Sequence, residues 1–293
     1  MKTRLISSGV GVVIVVFMFF MHNTIVLPLL LSAVTCIILF ELARVVGGQR
    51  FGLAMTGIML YGVAMPILEY VRCRSAMTAM NNGASSRVAE VMTHVESGLL
   101  TVCLLMLFVQ FLMHHGKFRS EQLAFMGGAM VLIPWSLNKL IALNYYNDGK
   151  HGLFYLILAL CGAWIADSGA YFCGVALGKR KLCPNISPKK TVEGFIGGII
   201  SNAVIFWLVF LVYAKIRGVE FTFVDGILAA VLGIVCAPIS VVGDLTFSVI
   251  KREKGIKDYG KIMPGHGGLT DRFDSVLFVV PMFYVFVHLF TIL

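Results

Sequence analysis

The feature that most constrains this chain is a succession of long apolar stretches. An α-helix needs about 20 mostly apolar residues to cross the hydrocarbon of a bilayer. Nine stretches have this character, and they lie near residues 5–21, 24–43, 51–71, 95–113, 122–142, 153–177, 194–214, 223–248 and 275–293. Only His22 and Asn23 separate the first two, so eight or ten spans remain open. The pattern predicts an all-α, polytopic integral membrane helical bundle with about nine transmembrane helices.

The composition supports the same class. Of the 293 residues 58% are apolar and 13% charged, against about 45–50% and about 25% in soluble domains. A cytosolic enzyme, a disordered tail and a secreted disulfide scaffold are therefore excluded. A formal charge of +9 on so apolar a chain indicates basic loops at an anionic membrane surface, with no nucleic acid as partner.

Charge placement predicts the orientation, because cytoplasmic loops of membrane proteins are rich in Lys and Arg. If the N-terminus lies inside, the inside segments hold 17 of the 24 Lys and Arg residues and the outside loops hold seven. We therefore expect an inner (cytoplasmic) membrane protein whose N-terminus is cytoplasmic. The longest outside stretch, 72–94, is expected to be a plain connecting loop.

Two polar segments interrupt the apolar pattern, and both are expected on the cytoplasmic side. We call residues 178–193 the first island and residues 249–274 the second island. Together the two islands contain 16 of the 39 charged residues. The chain accordingly divides into N-terminal transmembrane helices, 1–150, with about five spans, and a C-terminal catalytic region, 151–293, that carries both islands.

Carboxylates within apolar spans are costly and usually pair with a charge or bind an ion. Asp167 and Asp244 lie in the sixth and eighth stretches, and each is followed by basic residues. Acid followed by dense base is typical of a metal–phosphate site, where carboxylates hold a divalent cation and cations neutralise phosphate oxygens. An ion-pair lock at the membrane edge is the alternative for each.

Two glutamates have a simpler interpretation. Glu41 and Glu69 each precede an arginine by three positions, Arg44 and Arg72 respectively. Residues three apart are neighbours on a helix, so both glutamates are expected to form local ion pairs.

The second island also contains Pro264-Gly-His266-Gly-Gly268. Glycines around a histidine permit a tight loop whose backbone N–H groups converge on an anion. Asp271 and Asp274 follow, three apart, and are expected to share one face at the start of the last helix. Helix capping is the alternative role for these two carboxylates.

Both islands resemble one family. The segment SVIKREKGIKDYGKIMPGHGGLTDRFDS matches the pattern S-x-x-K-R-x-x-x-x-K-D-…-P-G-H-G-G-…-D-R-x-D of phosphatidate cytidylyltransferases, also called CDP-diglyceride synthases. The run S-P-K-K-T-x-E-G at Ser187–Gly194 is similar to that family's other cytoplasmic stretch. The resemblance covers about 110 residues, from Asp167 to Ser275, and departs only at Met263, where another apolar residue is usual.

This resemblance implies the reaction CTP + phosphatidate → CDP-diacylglycerol + pyrophosphate, with Mg²⁺ as cofactor and a second, monovalent cation not excluded. The implied partners are CTP, phosphatidate and membrane lipids, and a homodimer is plausible. It places Asp244 and Asp271 at the metal, with Asp167 as a third ligand or as an orienter of Lys189 or Lys190. Catalytic roles extend to Lys257, Arg272 and His266. The expected substrate-binding residues are Ser187, Lys189, Lys190, Ser248, Lys251, Arg252, Asp258, Gly267, Gly268 and Asp274.

Two other functions compete with this one. A CTP-dependent lipid-alcohol kinase of the polyprenol type would share a nucleotide site but would act on a hydroxyl, so it would need a base. An ion-coupled transporter would use Asp167 and Asp244 as coupling carboxylates. Transporter sites lie near the bilayer midplane, whereas the charge here is concentrated on one face.

Overall fold

The computed structural model describes residues 2–81, 87–263, 265, 267–290 and 292, and most of them are helical. The helices are α1 Lys2–Phe20, α2 Val26–Val45, α3 Gly52–Asn81, α4 Arg87–Met113, α5 Ser120–Asn144, α6 Gly152–Leu177, α7 Val192–Arg217, α8 Phe223–Glu253, α9 Thr270–Phe273 and α10 Val276–Leu289. Within the described residues, eight helices are long and apolar enough to cross a membrane: α2 to α8, and Thr270–Leu289, which takes α9 and α10 together. The first predicted span forms α1, which is not among these eight. The prediction of a polytopic helical membrane protein is confirmed.

The chain folds into two compact units. Unit 1 comprises Met1–Leu153 and Ile256–Asp271, and unit 2 comprises Phe154–Gly255 and Arg272–Leu293. The second island therefore contributes to both. These units describe how the chain packs. The predicted division separates N-terminal spans, 1–150, from a catalytic region, 151–293, and it stays a prediction.

Unit 1 is built from α2 to α5, which pack against one another through apolar and small residues. Leu27, Ile38 and Leu107 are fully buried. Pro66 interrupts the amide ladder of α3, and the hydroxyl of Ser32 donates to the nearby Val63 carbonyl at 2.8 Å. Such cross-helix bonds satisfy polar groups that lipid cannot solvate.

Unit 2 places α6, α7, α8 and α10 around an aromatic core that includes Phe206, Phe210 and Phe283. Close approach depends on glycine: a Cβ at Gly233 of α8 would lie 2.6 Å from the carbonyl oxygen of Asn202 on α7. The Asn202 side chain in turn donates to the Gly233 carbonyl at 2.9 Å. Small residues and a buried amide thus join these two helices.

A short hairpin in unit 2 was not predicted. Strand β1, Lys181–Cys183, pairs antiparallel with β2, Ser187–Thr191, within the first island. Antiparallel neighbours need only a tight turn between them, so a polar segment of this length forms a local ladder that hydropathy does not reveal.

The expectation of a plain loop over 72–94 was wrong for most of its length. Helix α3 continues to Asn81 and α4 begins at Arg87, so the described residues of this stretch are helical. Hydropathy reports where lipid ends, whereas a helix satisfies its own backbone and continues into water wherever its residues permit.

Candidate active site

Three carboxylates that the sequence singled out lie together in unit 2. We call Asp167 of α6, Asp244 of α8 and Asp274, which follows α9, the acidic cluster. They are close enough to interact electrostatically with one another. Like charges at short range repel, so this arrangement favours a cation among or beside them.

Asp244 already contacts a cation from the first island. The Lys190 Nζ lies 2.6 Å from Asp244 Oδ2, and the two side chains are 23% and 27% exposed. Ser248, one turn further along α8, donates to Asp244 Oδ1 at 3.4 Å. Apart from the ion pair, the buried Lys190 Nζ has no hydrogen-bond partner in the described part of the chain. An ammonium carries three donors, so Lys190 has capacity for a further anion.

Asp167 is held by two serines that sequence reasoning missed. The buried Ser240 of α8 donates to Asp167 Oδ1 at 3.2 Å, and Ser275 donates to Asp167 Oδ2 at 3.4 Å. Asp167 also interacts electrostatically with Lys190. Neither serine has a distinctive sequence spacing relative to Asp167, so no local signal identifies them.

Asp274 lies between α9 and α10. Helix α9 ends at Phe273, and Asp274 lies in the turn before α10, where its Oδ1 accepts a 2.8 Å hydrogen bond from the Ser275 N–H. Because Asp271 belongs to unit 1 and Asp274 to unit 2, the expectation that they share one face at the start of the last helix stays a prediction. A short carboxylate that bonds the adjacent amide competes with continued helix, which explains the break.

The hairpin of the first island positions Lys190. Successive residues of a strand point to opposite sides, and accordingly Lys190 is half-buried beside Asp244 whereas Lys189 is exposed. Thr191 caps α7 by accepting from the Gly194 N–H at 3.1 Å. The Glu193 carboxylate accepts from the N–H groups of Lys179 and Arg180 at 2.9 and 3.1 Å. Thr191 and Glu193 of the S-P-K-K-T-x-E-G run thus fix the backbone that presents Lys190.

In unit 1, we call residues 256–263, 265 and 267–271 of the second island the glycine loop; its last two residues begin α9. Asp271 Oδ2 accepts hydrogen bonds from the Tyr259 N–H at 2.8 Å and from the Gly268 N–H at 3.0 Å. Gly267 has φ +88°, which side chains rarely adopt, and its Cα faces Asp258 and Asp271. The predicted Asp258, Gly267, Gly268 and Asp271 are therefore brought together.

The predicted pair of Glu41 with Arg44 is wrong. Glu41 is 1% exposed, and its carboxylate accepts hydrogen bonds from the Leu269 and Thr270 N–H groups and from the Thr270 hydroxyl. Arg44 donates instead to the Tyr259 carbonyl at 2.6 Å. Both residues reach a segment more than 200 positions away, which i,i+3 spacing cannot anticipate. The parallel prediction for Glu69 is confirmed, since Arg72 lies 2.6 Å from it.

The remaining predicted residues differ in exposure. Lys251, half-buried near the end of α8, interacts electrostatically with Asp274. Ser187 is half-buried opposite Cys183 in the hairpin. Arg252, Lys257 and Arg272 are exposed, as expected of cations that meet a soluble anion. His266 lies outside the described residues.

The donor types suit magnesium. Carboxylate and hydroxyl oxygens are the hard ligands that Mg²⁺ prefers, and unit 2 supplies them from Asp167, Asp244 and three serines. Among the described residues, no group of three or more His, Cys, Asp or Glu side chains is arranged to hold a metal ion. Any ion here would therefore complete its shell with hydroxyls, phosphate oxygens or water, which is the usual habit of Mg²⁺.

Comparison with known proteins decides the family. Residues 2–290 match the model of the cytidylyltransferase family. The chain is also 31% identical to the phosphatidate cytidylyltransferase of Bacillus subtilis (strain 168), over 99% of both chains. This chain belongs to the cytidylyltransferase family. Shorter matches reach the phosphatidate cytidylyltransferases of Haemophilus influenzae, 45% identical over 49% of each chain, and of Staphylococcus saprophyticus, 38% identical over 56% of this chain and 60% of the relative.

The family match extends the resemblance. The motifs that carry it lie between Asp167 and Ser275, in the C-terminal half. The family model and the Bacillus relative both cover the N-terminal half as well. Glu41 and Arg44, which hold the glycine loop, lie within it.

Proposed function

We propose that this integral membrane protein is a phosphatidate cytidylyltransferase, which converts CTP and phosphatidate into CDP-diacylglycerol and pyrophosphate. The observation that carries the proposal is the similarity, over 99% of both chains, to a protein of that name. The site chemistry agrees with it, since basic side chains and carboxylates lie together at the ends of membrane-spanning helices. CTP, phosphatidate and membrane lipids are accordingly its partners.

In this reaction a phosphate oxygen of phosphatidate attacks the α-phosphorus of CTP. The new P–O bond forms as the bond to the β-phosphate oxygen breaks, and pyrophosphate leaves with the electron pair. Because the second pKa of a phosphate monoester is about 6, the nucleophile is already ionised near neutrality and needs no general base. The protein therefore acts chiefly by positioning and by neutralising charge.

We assign the lipid phosphate chiefly to Lys190; Lys189 and Ser187 of the same strand are proposed as further substrate-binding residues. Lys190 Nζ has donors to spare after its ion pair with Asp244, and its strand leads into the membrane-spanning α7. Ser248, Lys251, Arg252, Lys257 and Arg272 are assigned to the triphosphate. Asp258, Gly267, Gly268 and Asp274 complete the proposed substrate site, as does His266.

Magnesium is the proposed cofactor. The family resemblance assigns Asp244 and Asp271 to the metal, with Asp167 as the third ligand or as the residue that orients Lys190; a second, monovalent ion remains a candidate. When bound, Mg²⁺ neutralises phosphate oxygens and aligns the attacking and leaving groups. The hydrogen bonds to Asp167 and Asp271 support this assignment, because they orient both carboxylates.

The decisive experiment uses the purified protein in detergent with Mg²⁺, phosphatidate and CTP labelled at the α-phosphate. The proposal expects label in the lipid and one pyrophosphate for each lipid labelled. Diacylglycerol in place of phosphatidate is the matched control, and it should give neither product. Release of CDP would identify a kinase instead, and absence of turnover with ion flux in vesicles would identify a transporter.

We further propose an inner-membrane location with the N-terminus and both islands cytoplasmic, because CTP is cytoplasmic and the islands hold eleven of the 24 Lys and Arg residues. Cysteines introduced at the exposed Lys254 and Glu220 test this on opposite sides. In right-side-out vesicles an impermeant maleimide should label Glu220→Cys at once, and Lys254→Cys only after permeabilisation, with the parent protein as background. The reverse order would overturn the orientation. The homodimer is tested by the mass of the detergent-solubilised protein.

A further inference from the structure

Glu41 is a buried carboxylate that the catalytic chemistry leaves unused. It lies near the end of α2 and is 1% exposed. Oε1 accepts from the Leu269 N–H at 3.0 Å, and Oε2 accepts from the Thr270 N–H at 2.8 Å and the Thr270 hydroxyl at 2.7 Å. Burying a carboxylate in a membrane protein is costly unless donors meet it, and here three do.

Two glycines let the carboxylate reach the backbone of the glycine loop. A Cβ at Gly268 would lie 2.7 Å from both Glu41 oxygens and 2.5 Å from the Gly260 nitrogen. A Cβ at Gly260 would overlap Glu41 Oε1. The backbone at positions 260 and 268 therefore packs directly against the Glu41 carboxylate. This close contact leaves no room for a side chain and accounts for glycine at both positions.

The same short stretch of backbone holds Asp271. Gly268 donates its N–H to Asp271 Oδ2, and the next two residues donate theirs to Glu41. On the other side of the loop, Tyr259 donates its N–H to Asp271 Oδ2 while its carbonyl accepts from Arg44. Helix α2 thus forms hydrogen bonds, through Glu41 and Arg44, to both backbone segments that donate to the Asp271 carboxylate.

We propose that Glu41 is a positioning residue for the cytidylyl transfer: it fixes residues 268–270 and thereby sets the direction of the Asp271 carboxylate. This inference rests on the proposed function and on the role of Asp271 in it. Glu41 itself touches no reacting atom. It acts through main-chain amides that a neutral amide side chain cannot satisfy, because Gln offers one acceptor oxygen and turns an NH₂ group toward N–H donors.

Glu69 provides the matched control. It is also a buried glutamate of unit 1, 3% exposed, with an arginine three residues later. Its carboxylate contacts Arg72 and Cys73 of its own helix, whereas that of Glu41 contacts the backbone of the glycine loop. Glu69→Gln therefore removes a buried carboxylate without touching the backbone that holds Asp271.

The experiment compares Glu41→Gln and Glu69→Gln as purified full chains. For Glu41→Gln we expect kcat to fall by about 10- to 100-fold and the Mg²⁺ concentration that gives half of the thermal stabilisation to rise by about tenfold. KM for phosphatidate should change little, because Glu41 contacts no substrate. Glu69→Gln should lower Tm but keep kcat and the Mg²⁺ midpoint within about twofold of the parent.

Thr270→Val keeps the test decisive should Glu41→Gln fail to fold. It removes the hydroxyl donor and keeps the shape and the N–H, so smaller changes in kcat and in the Mg²⁺ midpoint should follow in the same direction. Unchanged kcat and Mg²⁺ midpoint in folded Glu41→Gln or Thr270→Val protein would overturn the inference. An inactive parent protein would instead count against the proposed function, so the two failures are distinguishable.

Discussion

Asp271 and Glu41, which both contact the backbone of the glycine loop, are held differently from Asp167 and Asp244 of the acidic cluster. Asp271 and Glu41 accept hydrogen bonds from main-chain N–H groups. Asp167 and Asp244 contact side chains, namely serine hydroxyls and the ammonium of Lys190. A main-chain amide cannot withdraw unless the chain moves, whereas a lysine or serine can rotate to another partner. We therefore expect the glycine loop to keep its hydrogen bonds, as a fixed frame, during the reaction. Asp167 and Asp244, in contrast, are expected to exchange their side-chain partners for substrate groups.

The largest effects should come from the two proposed metal ligands, and they should separate the regions by stability. Asp244→Asn and Asp271→Asn should each lower kcat by on the order of 100-fold or more, since each removes charge from the metal site. Asp271→Asn should lower Tm more than Asp244→Asn, because two main-chain N–H groups lose their charged acceptor, whereas Asp244→Asn breaks one partly exposed ion pair. Activity assays and thermal unfolding of both variants check this, and near-normal turnover in either one would remove its metal assignment.

Gly268→Ala should have the second-largest effect, because the substitution directly disturbs the backbone of the glycine loop. The added methyl lies 2.5 Å from the Gly260 nitrogen and 2.7 Å from both Glu41 oxygens. Overpacking of this kind costs about 1–3 kcal/mol, and we expect a lower Tm together with a lower kcat. Gly255→Ala is the matched control, since a Cβ there meets nothing, although its φ of +62° adds backbone strain. Equal losses of kcat in the two variants would contradict a special role for the loop.

Lys190→Ala tests the exchangeable region. Loss of one charge-assisted contact to the lipid phosphate should raise KM for phosphatidate by about tenfold, with a smaller change in KM for CTP. Lys189→Ala is its control on the opposite side of the strand, and it should have the weaker effect. Steady-state kinetics with each substrate varied in turn provide the measurement; an equal rise in both KM values would argue against contact with the lipid phosphate.

The smallest effect is expected where side chains support the hairpin. Thr191→Ala removes the cap of α7 and should lower stability by about 1 kcal/mol. KM for phosphatidate should rise slightly, because the hairpin that carries Lys190 is less well fixed. Thr191→Ser, which keeps the cap oxygen, should restore most of the lost stability in thermal unfolding. A fall in Tm in the serine variant as large as in the alanine variant would point instead to packing of the methyl group against Gly178.

How far the sequence predicts this molecule is illustrated by its two E-x-x-R pairs. The spacing predicted local ion pairs for Glu41 and Glu69, and only Glu69 forms one. Local spacing defines which residues are neighbours on a helix but says nothing about competing partners from distant segments. Backbone N–H groups at a loop are invisible in sequence, and they proved to be the partners of Glu41.

Hydropathy and spaced motifs predicted different parts correctly. Apolar stretches gave the spanning helices, because lipid enforces both composition and length. They did not predict the helical continuation past residue 71 or the hairpin at 181–191. Outside lipid, composition and length are no longer constrained in this way, so hydropathy does not reveal the structure. The motifs placed Asp271 and Gly268 in one segment. The ion pair of Lys190 with Asp244, where Asp167 was the predicted orienter, and the serines around Asp167 required the three-dimensional packing of unit 2.

The length of α8 has a consequence for how two very different substrates meet. Its 31 residues extend roughly 46 Å, against about 30 Å for the hydrocarbon of a bilayer. Asp244 precedes its end by nine residues, or about 14 Å, and Lys251 and Arg252 occupy its last turn. On the proposed assignment, one helix would therefore contribute a residue near the lipid phosphate and two cations near the triphosphate. A nucleotide would not need to enter the membrane and a lipid would not need to leave it, since the same helix would contact each at a different depth.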